Sequence, residues 1–135
     1  MAKKIISKDR TCLGTNGLVF NNLNKLTLES LENEMGDLAY ILKDWRSGVG
    51  TRPSGKLLRT AILNNYRDTS KRIVLDFGAI NVISSSFADE LVGKLVLELG
   101  FFGFNNLVKM KNMNQLIQQL VQRSVAQRMA ESLNN

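Results

Sequence analysis

Residues 72–100, RIVLDFGAINVISSSFADELVGKLVLELG, decide how the rest of this chain is read. Ile73, Val74, Leu75 and Phe77 make a short, continuous apolar run bounded by turn residues, the pattern of a strand covered on both faces. A turn and three consecutive serines follow. Phe87, Leu91, Leu95 and Leu99 then recur four residues apart, which predicts an amphipathic helix, and Gly100 stands where such a helix stops. Ser84, Ser85 and Ser86 thus fall where a helix leaves its first amide N–H groups without partners. Hydroxyls at that position can cap the helix, bind an anion or accept a phosphoryl group. Ser86 followed by Asp89 reads as a capping box with a shortened acid. A phosphate on Ser85 would be favoured by the helix N-terminus and opposed by Asp89 and Glu90, at comparable size. Asp89 and Glu90 make a poor catalytic pair, because adjacent helix residues point about 100° apart.

Working outward, residues 48–55, GVGTRPSG, form a glycine-rich loop that leads into a second helix, KLLRTAILNNY, with Leu58, Ile62 and Tyr66 along one face. Before it, TLESLENEMGDLAYILKDWRSG places Leu28, Leu31, Met35, Leu38, Leu42 and Trp45 at helical spacing, and predicts an acidic helix over 27–47. Near the N-terminus, Ile5 and Ile6, then Leu18, Val19 and Phe20, suggest two strands joined by a turn containing Gly14, Asn16 and Gly17. Downstream, 106–110 reads as one more strand. A C-terminal helix begins at about Asn114 and buries either Leu116, Leu120 and Val125 or their neighbours Ile117, Val121 and Met129. The sum is α/β: a small mixed sheet of about four strands covered by about four helices, in a single domain over 1–135.

Composition narrows the function. Apolar residues are 44% and charged residues 22% of the 135, ordinary for a globular protein. No stretch approaches the roughly 20 consecutive apolar residues of a membrane span, and MAKKIISKDR has no apolar signal core, so a cytoplasmic protein is expected. The single cysteine, Cys12, has no internal partner, which fits a reducing compartment. There is no histidine, which removes Ser-His and Cys-His catalytic arrangements and the commonest zinc ligand; no metal or cofactor is expected. The net charge is +6, but basic and acidic segments alternate along the chain, and a lysine- and arginine-rich stripe interleaved with aromatics is missing. A DNA-binding reading therefore rests on charge alone.

The run from Gly50 through Lys56 matches the G-x-x-x-x-G-K portion of a phosphate-binding loop, yet Leu57 stands where a magnesium-holding hydroxyl is required. The segment before it is not a buried strand either. A weaker anion site remains open: Arg52, Ser54, Gly55, Lys56 and Arg59 around a helix start, with Ser54 as the alternative N-cap.

Taken together, TRPSGKLLR, LDFGAINVISSSFADELVGKL and a glutamine-rich helix ending in QRMAE resemble the bacterial STAS-like domains of unassigned function, over about residues 50–130. Residues 1–49, with their strands and the acidic helix, do not map onto that pattern. The wider STAS group includes antagonists of anti-sigma factors, in which an Asp-Ser-Ser-Gly motif presents a serine phosphorylated by a kinase that also binds the domain. On this chain the motif falls on Ser84, Ser85, Ser86 and Phe87, with Ser85 at the acceptor position; Ser84 replaces the aspartate and Phe87 the glycine. The resemblance implies a non-enzymatic regulatory module that docks on a histidine-kinase-type ATPase through residues 84–90, with Asp89 and Glu90 in the docking surface. The competing expectation is a small-molecule domain that holds a nucleotide or another phosphorylated ligand on the 50–59 loop. Monomer and dimer both stay open.

Overall fold

The computed structural model describes residues 32–134. Strand β1 (Leu38–Ile41) leads through a 3-10 turn (Leu42–Asp44) and a glycine-containing loop into helix α1 (Arg52–Thr69). Strand β2 (Ile73–Asp76) follows. Helix α2 then spans residues 85–99 as three continuous stretches: Ser85–Ala88 is α-helical, Asp89–Gly93 is π-helical and Lys94–Leu99 is α-helical again. Gly100, at φ +77°, turns the chain into helix α3 (Phe101–Leu107), which runs into strand β3 (Val108–Lys111) and helix α4 (Gln115–Asn134).

The described sheet has three strands, in the order β1-β2-β3 and all parallel, with Leu38, Ile73 and Val108 in register. A parallel pair needs a crossover, and right-handed crossovers that all step the same way place their helices on one face of the sheet. Within that helical layer α2 lies between α1 and α4 and packs on both. The core joins Leu38, Tyr40, Ile73, Leu75 and Phe77 to Leu58 and Ile62 of α1, Phe87, Leu91 and Leu95 of α2, and Ile117 and Val121 of α4. Fully burying each such side chain contributes about 1.5–3 kcal/mol. One buried polar pair ties the sheet to α1: Asn65 Nδ2 donates to the Tyr40 hydroxyl at 3.1 Å, and burial pushes the Tyr40 phenol up to about 12.

Strand β2 and the stacked face of α2 lie where the sequence places them, and β3 lies two residues later than expected at its start. Helix α1 begins at Arg52, inside the stretch expected as loop, because Thr51 caps it and Pro53 is accepted in its first turn. Two readings require correction. The expected mixed sheet of about four strands is, among the described residues, a parallel sheet of three; the strands expected at 5–6 and 18–20 lie outside those residues. The expected helix over 27–47 is, in its described part, a turn followed by β1. The cause is local. Asn33 Oδ1 accepts from the N–H groups of Met35 (2.9 Å) and Asp37 (3.0 Å), and Gly36 sits at φ +82°. An asparagine side chain that captures backbone donors this way competes with the helix ladder. After the turn, Leu38 and Tyr40 point inward with a period of two, so the helical stripe is broken at Met35, which is 77% exposed.

Candidate functional site

The serine triplet opens α2, and its members have different neighbours. Ser84 is the N-cap: its hydroxyl accepts from the Phe87 N–H at 2.9 Å, and its carbonyl accepts from Ala88 N–H at 3.0 Å. The cap expected at Ser86 therefore sits two residues earlier, because Ser84 is the last residue with extended backbone (φ −80°, ψ 155°). Ser84 N–H in turn donates to Val49 O at 3.2 Å, which ties the serine turn to the loop before α1. Ser85 is exposed, Ser86 half-buried, and Phe87 sealed in the core.

One turn later the helix widens. The π-helical stretch Asp89–Gly93 begins at the two acids, and such stretches occur mostly as single turns at functional sites. Asp89 receives a bidentate grip from Arg128 of α4, Nε to Oδ1 at 2.8 Å and Nη2 to Oδ2 at 2.6 Å, and a third bond from Arg52 Nη1 at 3.0 Å. Arg128, then Arg52, hold the Asp89 carboxyl below the usual carboxylate range against partial desolvation. Glu90 turns toward α1 and is buried. Arg52 Nη1 reaches it at 2.7 Å, Arg59 Nη1 at 3.1 Å and Lys94 Nζ at 3.2 Å, while Arg59 also donates to the Glu90 carbonyl. Burial alone would raise this carboxyl, but Arg52, Arg59 and Lys94 outweigh it and bring it from 4.5 down to about 2.

Two glycines make this geometry fit. A Cβ on Gly55 of α1 would stand 3.0 Å from Glu90 Cβ and 3.1 Å from Phe87 O, and one on Gly93 would stand 2.8 Å from Asp89 Oδ1. At Gly55 the backbones of α1 and α2 meet directly, and at Gly93 the missing side chain leaves room for Asp89 and for Arg128 and Ser124 of α4.

The second candidate set, on the loop before α1, divides. Ser54 is buried, with its hydroxyl donating to Gly48 O and accepting from Trp45 Nε1 at 2.8 Å. Thr51, not Ser54, caps α1, accepting from Ser54 N–H at 3.2 Å. Gly55 is covered by α2, and Arg59 is only 8% exposed and committed to Glu90. Arg52 and Lys56 alone face solvent. The two sets predicted separately adjoin, because Arg52 and Arg59 of α1 bond Asp89 and Glu90 of α2. Sequence reasoning missed Lys94, Arg123, Ser124 and Arg128. Of these, Lys94 carried a readable signal as the i+4 partner of Glu90.

Beside Ser85 an open groove of about 240 Å³ runs between α2 and α4; its walls include Arg52, Ser85, Ser86, Arg123, Ser124 and Arg128. Among the described residues, no helix is long and apolar enough to cross a membrane.

Residues 54–118 match the family profile of a STAS-like domain of unknown function. That span runs from the first turn of α1 to the first turn of α4, so it holds the serines and both acids but not Arg52, Arg123 or Arg128. No curated protein and no solved structure matches the chain.

Proposed function

The chain carries a STAS-like domain, and on that premise we propose that it is a non-enzymatic regulatory module that docks on a protein partner through residues 84–90. One observation carries the reading: the Ser85 hydroxyl is exposed at the first turn of α2, on the rim of an open groove. The scaffold under it is well suited to recognition. Ser84 fixes the helix start, Phe87 anchors it in the core, and the carboxylates behind it are held by arginines from α1 and α4. A surface held that firmly loses little conformational freedom on binding.

The partner proposed is an ATPase domain of the histidine-kinase type, with Ser85 the candidate phosphoacceptor. The nucleotide-binding alternative on the 50–59 loop has less support, since Ser54 and Arg59 already spend their polar groups inside the fold. The test is affinity capture from the native cells with wild type, Ser85→Ala and Ser85→Asp, followed by mass spectrometry of partner and bait. Recovery of such an ATPase with wild type, lost or weakened with Ser85→Asp, is the expected result. Failure to recover one, or equal capture by all three baits, refutes the reading.

A further inference from the structure

We infer that the groove between α2 and α4 binds the phosphate group of a small phosphate monoester, with Arg123 as its principal counter-charge. The inference uses the face assigned above to docking but does not require a partner protein.

The donors are already in place. The groove lies at the N-terminal turn of α2, and of the first amide N–H groups there, Phe87 and Ala88 are taken by Ser84, which leaves those of Ser85 and Ser86. Opposite, on α4, Ser124 is only 6% exposed, lines the groove and has no hydrogen-bond partner among the described residues. A buried hydroxyl without a partner is costly, so its position in a groove wall points to a ligand oxygen. Arg123 lines the same groove, is exposed, and forms no ion pair among the described residues. Arg52 engages both carboxylates through Nη1 only, and its other guanidinium N–H groups remain for an anion.

The negative groups at the site are neutralised from within. Asp89, which with Glu131 lines the groove, takes three bonds from Arg128 and Arg52. Glu131 at the rim is bonded by Arg128 Nη1 at 3.3 Å. What is left over is the cation on Arg123, hydroxyls and amides, a donor set suited to a phosphate that is largely dianionic at neutral pH. The volume of about 240 Å³ is below that of a drug-sized pocket, so the organic part of the ligand is short.

The experiment is a titration of the full chain with glycerol 3-phosphate, followed by ¹⁵N–¹H NMR, with glycerol as control. The expected result is a saturable shift of the Ser85, Ser86 and Ser124 amides, with a dissociation constant of about 1 mM or tighter, and no response to glycerol. Arg123→Gln lies outside the ion-pair cluster and leaves the spectrum otherwise native; it should weaken binding about tenfold. Ser124→Ala should weaken it severalfold. An unsaturated or absent response, shifts elsewhere on the surface, or equal affinity for wild type and Arg123→Gln overturns the inference. Because capture of a partner is scored separately, loss of one reading leaves the other standing.

Discussion

Replacing Glu90 with glutamine removes one charge from a position where three cations converge. The Glu90 side chain is 3% exposed and that of Arg59 10%, so this pair sits in the low-dielectric part of the cluster, while Arg52 (49%) and Lys94 (36%) reach solvent. Glutamine keeps the shape and one acceptor oxygen, and Arg59 keeps its bond to the residue 90 carbonyl. What it loses is compensation of a buried guanidinium. Breaking a buried pair from one side costs about 3–5 kcal/mol, and the retained bonds place Glu90→Gln near the lower end, ~3 kcal/mol.

The titration of Glu90 gives a second route to the same size. A carboxyl lowered from 4.5 to about 2 stabilises the fold above the unfolded value and loses that contribution as pH falls through the folded one. Between those limits the loss is ~1.4 kcal/mol per pH unit, or ~3 kcal/mol over the whole window. Wild type and Glu90→Gln should therefore differ by ~3 kcal/mol at pH 7, a difference of roughly 10 °C or more in melting temperature. The gap should be nearly unchanged down to about pH 5, then narrow steadily as pH falls toward about 2, where half of the wild-type carboxyls are protonated. Urea denaturation followed by circular dichroism at pH 7, 5 and 3.5 measures it. A gap under ~1 kcal/mol at pH 7, or one that fails to narrow below pH 4.5, would refute the account of Glu90 as the buried counter-ion of Arg59.

The serines make two further predictions. Ser84→Ala should destabilise by ~1 kcal/mol and Ser86→Ala by well under half of that, since only the first accepts from a backbone N–H; equal losses in urea titrations would remove Ser84 as the cap. Ser85→Asp, compared with Ser85→Asn, should stabilise by about 0.3–1 kcal/mol at low salt and lose the gain at high salt, and a destabilised aspartate variant would contradict the charge balance around it.

How much of this was legible in the residues depends on separation along the chain. The strand at 73–77 and the two helices flanking it are strong periodic signals, and the structure keeps them. At 27–47 two periods coexist: the same leucines that repeat at helical spacing include Leu38, which alternates with Tyr40 as a strand. Asn33 and Gly36 decide between them, through a side-chain bond and a positive φ that hydropathy does not encode. Helix α3 was invisible because FFGF has no polar face to set a period, and residues 101 and 102 remain exposed. In α4 the glutamine-rich sequence permits two apolar faces; packing on α2 selects Ile117 and Val121 and leaves Leu116 48% exposed. Lys94 falls within one helical turn of Glu90. Arg128 and Asp89 are 39 residues apart, and only the packing of α4 on α2 brings them to 2.6 Å.

That long-range pair tips the electrostatic balance at Ser85. Read locally, Asp89 and Glu90 set two negative charges close to the serines and oppose any phosphate there. In the fold, four cations surround those two carboxylates: Arg52 and Arg59 from α1, Lys94 from α2 itself, and Arg128 from α4. Each carboxylate is hydrogen-bonded by guanidinium groups, so its field is cancelled at short range, and a positive surplus remains toward α1 and α4. The helix N-terminus adds its own partial positive charge on the same side. An anion at Ser85, whether carried by a ligand or bonded to the hydroxyl, therefore meets a favourable potential. The two acids act as the keystones that draw the arginines to this end of α2, Asp89 toward Arg128 of α4 as well as Arg52, and Glu90 toward Arg52 and Arg59 of α1.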